Sequence, residues 1–220
     1  MDIDLVNNLE GSDDEDEIQL TPAEVIELME EAWINEKFAP EILPHKAEIV
    51  DCLLGQISYM ESNIQSLESR DFKKSIHLLE VDRLHFLISS YLRMRLEKIE
   101  TYVVHILEQE NERIQQGVDL YLTEQELKFA KEFSEGLQQH FENISSFYPR
   151  LPRDEWNQAT VKPNIHNFVF LKSKSDIDDV VIDDGKNVQN DLVYLNRGSQ
   201  VIISYKSVAT LVKRGDVQLI

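Results

Sequence analysis

Residues 71–110 read DFKKSIHLLEVDRLHFLISSYLRMRLEKIETYVVHILEQE, forty positions without a proline or a glycine. Within them Ile76, Leu79, Leu84, Leu87, Ile88, Tyr91, Leu92, Ile99, Tyr102, Val103 and Ile106 recur every three or four residues, the spacing that gathers side chains on one side of an α-helix. The stretch predicts one long helix. At 1.5 Å per residue it would reach on the order of 60 Å, about twice the width of a small domain. So long a rod needs cover along its whole length, and a chain offering only three further helices is expected to leave apolar surface for another chain to bury.

Upstream, Thr21-Pro22-Ala23-Glu24 is a sharp helix start: a threonine cap, proline at the first helical position and a glutamate that closes a capping box. Val25, Leu28, Met29, Ala32 and Trp33 follow at helical spacing until Ala39-Pro40. A second helix is expected from near Pro44 to Ser69, with Ile49, Leu53, Ile57, Met60, Ile64 and Leu67 as its seam. Downstream, Thr123-Glu124-Gln125-Glu126 repeats the capping box ahead of Leu127, Ala130, Phe133, Leu137, Phe141 and Ile144. Residues 21–147 therefore read as a helical bundle, an A domain.

The pattern then changes. Residues 148–163, bracketed by Tyr148-Pro149 and Lys162-Pro163, lack periodicity and read as a linker. Beyond them His166–Leu171, Val180–Ile182, Leu192–Leu195 and Val201–Tyr205 are short β-branched and aromatic runs, separated by Asp183-Asp184-Gly185-Lys186 and Asn196-Arg197-Gly198-Ser199 turns. Residues 206–214 suit a short helix ended by Gly215, and Val217–Ile220 a last strand. The predicted fold class is mainly α with a small, compact β-rich B domain at 164–220. With under 60 residues its core is marginal, so it is expected to dock on something larger.

The 220 residues hold 41 Asp+Glu against 22 Lys+Arg, a net charge of −19, and the mean hydropathy is −0.35. Residues 1–36 contain 13 acids and no Lys or Arg, leaving −6 for the other 184. Affinity for nucleic acid comes largely from neutralising phosphates with Lys and Arg, so autonomous nucleic-acid binding is not expected. Apolar runs are only a few residues long, against the roughly 20 of a membrane span. The acidic start, Met1-Asp2-Ile3-Asp4, does not read as a leader and predicts an intracellular chain. Residues 1–20, with Asp13-Asp14-Glu15-Asp16-Glu17, read as a disordered acidic tail. Its Ile3, Leu5 and Leu9 could share a helical turn and form a short partner-binding motif.

Catalytic signatures are missing from this reading. No Gly-rich phosphate loop occurs, and His45, His77, His85, His105, His140 and His166 are scattered. The lone Cys52, among Val50, Leu53 and Leu54, is expected to be an inert core thiol. Asp178, Asp179, Asp183 and Asp184 could suggest a small metal-dependent hydrolase, but Asp-Gly after a strand is first of all turn chemistry. Arg83, Arg93, Arg95 and Lys98 are expected to pair locally with Glu80, Asp82, Glu97 and Glu100. No cofactor or metal is predicted, and the chain is not expected to be an enzyme.

Three blocks carry a family resemblance: Thr21-Pro22-Ala23-Glu24 with Ala32-Trp33-Ile34-Asn35-Glu36-Lys37-Phe38-Ala39-Pro40-Glu41; Ser89-Ser90-Tyr91-Leu92-Arg93 with Arg95-Leu96 and Lys98-Ile99-Glu100; and Gly198-Ser199-Gln200, Tyr205-Lys206, Leu211-Val212, Gly215 and Val217–Ile220. In order and over nearly the whole chain beyond residue 20, they resemble the Sld-five family of subunits of the GINS replication complex. The resemblance implies an A domain followed by a B domain. It also implies a heterotetramer with three Psf-type subunits that joins the MCM ring and the Cdc-forty-five protein to form the replicative helicase in the nucleus, with this chain a scaffold. In some relatives the N-terminal tail binds the trimeric Ctf-four/And-one adaptor, and Ile3, Leu5 and Leu9 are similar in kind. The expected helical subunit interface is Tyr91, Leu92, Ile99, Tyr102 and Val103, and the expected B-domain docking residues are Val217, Leu219 and Ile220. The competing reading is a helical coiled-coil adaptor in cytoplasmic traffic or cytoskeletal assembly; it accounts for the helices but not for the β-rich end.

Overall fold

The computed structural model of the chain describes residues 20–67, 71–148, 160–182 and 191–220. The acidic tail before Leu20, most of the expected linker and the Asp183–Lys186 turn lie outside the described residues.

Helix α1, Pro22–Phe38, starts at the predicted capping box: the Thr21 hydroxyl accepts from the Glu24 amide, and the Thr21 N–H donates to the Glu24 carboxylate at 2.7 Å. Helix α2 spans Ala47–Ser66, starting three residues later than the sequence suggests. Helix α3 runs 45 residues, Phe72–Gln116, on the order of 68 Å at 1.5 Å per residue. Asp71 caps its start by accepting from the Lys73 N–H at 2.9 Å. Gly117, at φ 66°, ends it in the left-handed conformation that glycine adopts without steric cost. The predicted rod is thus continuous but bent, because Tyr102 sits at φ −120°, ψ 25°.

The two halves of α3 serve different cores. Val81, Leu84, Leu87, Ile88 and Tyr91 pack with Val25 and Met29 of α1 and with Leu53 and Ile57 of α2. Around the bend, Ile99, Val103 and Ile106 pack with Ile42, Leu122 and Ala130, the last on helix α4, Glu124–Phe147. Cys52 is exposed on α2, not buried as expected, because Leu53 takes the inward position beside it.

The β-rich end is a three-stranded antiparallel sheet in the order β4-β1-β5 and a separate β2-β3 hairpin. Its strands are β1 (Phe168–Ser173), β2 (Ile177–Ile182), β3 (Asp191–Leu195), β4 (Gln200–Ser204) and β5 (Val217–Leu219). Along β1, Val169, Leu171 and Ser173 point inward while Phe168, Phe170 and Lys172 point outward, the two-residue alternation of a half-buried strand. Helix α5, Tyr205–Arg214, covers the inner side and ends at Gly215, φ 85°. The core of this unit joins Leu171, Leu195, Ile203, Tyr205, Val208, Val217 and Leu219, and it takes in Ala39 and Leu43 from the α1–α2 connection. A core this small gains from borrowing apolar surface from a larger neighbour.

Candidate functional site

Beneath the α1–α2 connection lies a buried charge network centred on Arg95, whose side chain is only 1% exposed. Its guanidinium donates a fork to Glu126, Nε to Oε1 at 2.7 Å and a terminal nitrogen to Oε2 at 2.9 Å. The other donors reach Glu36 Oε2 at 3.2 Å, the Leu43 carbonyl at 2.7 Å and the Tyr121 carbonyl at 2.7 Å. Lys98 Nζ adds bonds to Glu36 Oε1 at 2.7 Å and the Glu41 carbonyl at 2.8 Å. Glu126 in turn closes the α4 capping box by accepting from the Thr123 N–H at 2.9 Å. Taking an ion out of water costs several kcal/mol, and only a fully satisfied partner set offsets it. Here α1, α3, α4 and two connecting loops supply that set.

The electrostatics follow the geometry. Burial alone would pull the Arg95 pKa down, but Glu126 and Glu36 outweigh it and hold the guanidinium above its ordinary value. Burial would raise the Glu126 carboxyl, yet its bonds from Arg95 and from Thr123 keep it below the ordinary 4.5. For Lys98 burial dominates and lowers the pKa despite Glu36. Burial pushes the Tyr91 phenol up to about 12; its oxygen accepts from the Lys46 N–H at 3.2 Å. The cations were expected to pair within their own helix. Arg83 does pair with Glu80, and also with Glu30 of α1, but Arg95 and Lys98 find partners far away in sequence because they face inward.

The same connection holds the β-rich unit in place. Asn35 Oδ1, buried at the end of α1, accepts from the Leu219 N–H at 2.8 Å. Glu41 accepts from the Tyr205 hydroxyl at 2.9 Å and from Lys213 Nζ at 2.7 Å, and Lys174 pairs with Glu31. Burial first, and Glu41 after it, raise the Tyr205 pKa, so the phenol stays a donor.

This placement changes the expected site residues. Tyr91, Ile99 and Val103 are buried within the chain's own cores, so they are not open to a partner. Tyr102 is half-buried and Leu92 is exposed. Val217 and Leu219 are fully buried in the β-rich core, and it is the Leu219 backbone that touches α1. Ile220 remains 42% exposed, with its N–H donating to the Phe170 carbonyl at 2.9 Å. Ile3, Leu5 and Leu9 lie outside the described residues, as do Asp183 and Asp184. Asp178 is exposed on β2, and among the described residues no three His, Cys, Asp or Glu side chains converge to hold a metal ion.

Apolar surface is open elsewhere. The first turns of α3 expose Phe72, Ile76, Leu78 and Leu79, the last 70% exposed, and Phe86 follows, open to solvent with one edge against Trp33 of α1. On α4 one stripe runs from the buried Ala130 through Phe133 and Leu137 to the exposed Phe141 and Ile144. The outer face of the sheet shows Phe168, Phe170 and Ile202, with Phe170 and Ile202 directly paired. Exposed apolar side chains thus lie on α3, on α4 and on the outer face of the sheet. Asn35, Glu36 and Glu41 stand in a block that carries the family resemblance and Glu126 in a capping box, but none of them was expected as a site residue. For Arg95 a signal existed, since it sits four residues after Tyr91 and four before Ile99 on the core rhythm.

The chain thus joins a bent helical bundle to a small β-rich unit seated on it, with apolar side chains exposed on both. Residues 54–145 match the family profile described as "GINS complex protein helical bundle domain", and residues 163–220 match "DNA replication complex GINS protein SLD5 C-terminus". The chain is 42% identical over 221 residues to the DNA replication complex GINS protein SLD5 of Rattus norvegicus, covering 98% of this chain and 99% of that one. It is 41% identical to the Homo sapiens SLD5 over 208 residues, 93% of each chain. It is 30% identical to that of Arabidopsis thaliana over 228 residues, 98% of this chain and 100% of the relative. The chain belongs to the SLD5 family of DNA replication complex GINS proteins.

Proposed function

We propose that this protein is a non-catalytic scaffold subunit of a GINS heterotetramer, assembled with three Psf-type subunits in the nucleus. The observation that carries the reading is the open apolar stripe of α4 together with the uncovered first turns of α3. Burying each such side chain is worth about 1.5–3 kcal/mol, so together they supply more driving force than the mostly solvent-exposed charges, which salt screens. Through the assembled complex the subunit joins the MCM ring and the Cdc-forty-five protein in the replicative helicase. The tail residues Ile3, Leu5 and Leu9 are proposed to reach the Ctf-four/And-one adaptor.

The test is a tagged pull-down from nuclear extract with mass spectrometry of the associated chains. The three Psf-type subunits are expected in equal amounts, with MCM and Cdc-forty-five in substoichiometric yield. A homodimer without them would favour the coiled-coil adaptor and overturn the scaffold reading.

A further inference from the structure

In a chain of net charge −19, one groove is cationic. It is a cavity of about 320 Å³ between α1 and the end of α5, lined by Lys46, Lys174, Lys213 and Arg214 against only two carboxylates, Glu31 and Glu36. Glu36 is already spent on Arg95 and Lys98, Glu31 is paired with Lys174, and Lys213 with Glu41. That leaves the Lys46 and Arg214 side chains as unpaired cations among the described residues. Leu28, Ala32 and Ile49 give the groove an apolar wall.

We propose that the N-terminal segment of this same chain occupies the groove, with Asp13-Asp14-Glu15-Asp16-Glu17 set against Lys46 and Arg214. The described chain begins at Leu20, which lines a second groove of about 490 Å³ that shares Leu28, Glu31 and Lys174 with the first. The segment therefore enters at the second groove, which adjoins the first along Leu28, Glu31 and Lys174. Its reach fits: Glu17 and Asp13 lie three and seven residues before Leu20, roughly 10–23 Å at about 3.3 Å per residue. The α1 residues lining the cationic groove, Leu28 to Glu36, lie roughly 9–21 Å from the start of the helix at 1.5 Å per residue. Glu24, Glu27 and Glu30 line the second groove and repel an acidic segment there, which favours its passing on to the cations. Tethering by a few residues gives an effective concentration in the millimolar range, which lowers the affinity that the contacts must supply. The bound segment bridges α1 and the β-rich unit and leaves residues 1–9 free to meet a partner.

Zero-length carbodiimide coupling of the full-length chain in its co-expressed complex with the Psf-type partners, mapped by mass spectrometry, tests this. Links from residues 13–17 to Lys46, Lys174 or Lys213 of the same molecule are expected, shown to be intramolecular by mixing isotope-labelled and unlabelled protein. In the Lys46→Glu, Arg214→Glu double variant the links to Lys174 and Lys213 should fall about 3- to 10-fold, and about 0.5 M NaCl should lower them similarly in the wild type. Both replaced side chains carry no ion pair, so circular dichroism should be unchanged. Three results would each overturn the proposal: links spread evenly to Lys128 and Lys131 on α4, links unaffected by the charge reversals, or links mainly between molecules or to another subunit.

Discussion

Removing the Arg95 side chain would leave the buried Glu126 without its cation and Glu36 with Lys98 alone, and a buried ion pair broken from one side costs about 3–5 kcal/mol, a large share of a domain's usual 5–15. Arg95→Ala should therefore lower sharply the urea midpoint of this subunit's hydrogen-exchange protection in the co-expressed complex. Arg95→Lys should rescue little, since an ammonium cannot make the bidentate fork to Glu126. Combining Arg95→Met with Glu36→Gln and Glu126→Gln should recover part of the loss. A midpoint for Arg95→Ala within error of the wild type would refute the network's role. The pH dependence has a definite sign. The folded Glu126 pKa lies below 4.5, so its contribution is in full force above 4.5 and is lost as pH falls through the folded value. Urea midpoints of wild type and Glu126→Gln, taken from about pH 7 to about pH 3, should stay apart down to about 4.5 and converge beneath it.

Among the elements, α3 and α4 separate folding from assembly. Leu79 and Ile144 are exposed, so Leu79→Asp and Ile144→Asp should leave the helical circular dichroism intact. Each should nonetheless weaken association with the Psf-type subunits, by about 1.5–3 kcal/mol per buried side chain, or roughly tenfold to a hundredfold in Kd. Unchanged stoichiometry and Kd in size-exclusion and titration experiments would rule these faces out. Strand β5 behaves differently. Val217 and Leu219 are fully buried and β5 pairs with β1, so deleting residues 217–220 should unfold the β-rich unit, not merely undock it, while the helical cores persist. Asn35→Ala is the cleaner undocking variant, because it leaves the buried Leu219 N–H unsatisfied at a cost of about 1–3 kcal/mol. Hydrogen exchange should then rise at the α1–β5 contact, with the sheet's interior still protected; protection lost evenly across the unit would contradict that division.

For the molecule as a whole, solitary expression should give poorly soluble or aggregating protein, and co-expression with the Psf-type partners a monodisperse complex; a cooperatively folding monomer by light scattering and thermal melting would argue otherwise. The long helix, both capping boxes, the short C-terminal helix and the closing strand were legible in the sequence because helix caps, periodicity and glycine stops act over three or four neighbouring residues. Among the residues that carry the family resemblance, Asn35, Glu36, Glu41, Arg95, Lys98 and Tyr205 help to lock the bundle and seat the β-rich unit. Yet nothing local says that Arg95 meets Glu126 and Glu36 instead of Glu97 or Glu100, that Tyr91 and Ile99 are spent on the chain's own cores, or that Cys52 faces water. Periodicity marks the sides of a helix that want burial but not which neighbour buries them. The elements and their order thus follow from the amino-acid sequence alone, whereas the bend at Tyr102, the Arg95 network, the seat of the β-rich unit and the choice between core and interface were decided by tertiary packing, because each depends on groups brought together from distant parts of the chain.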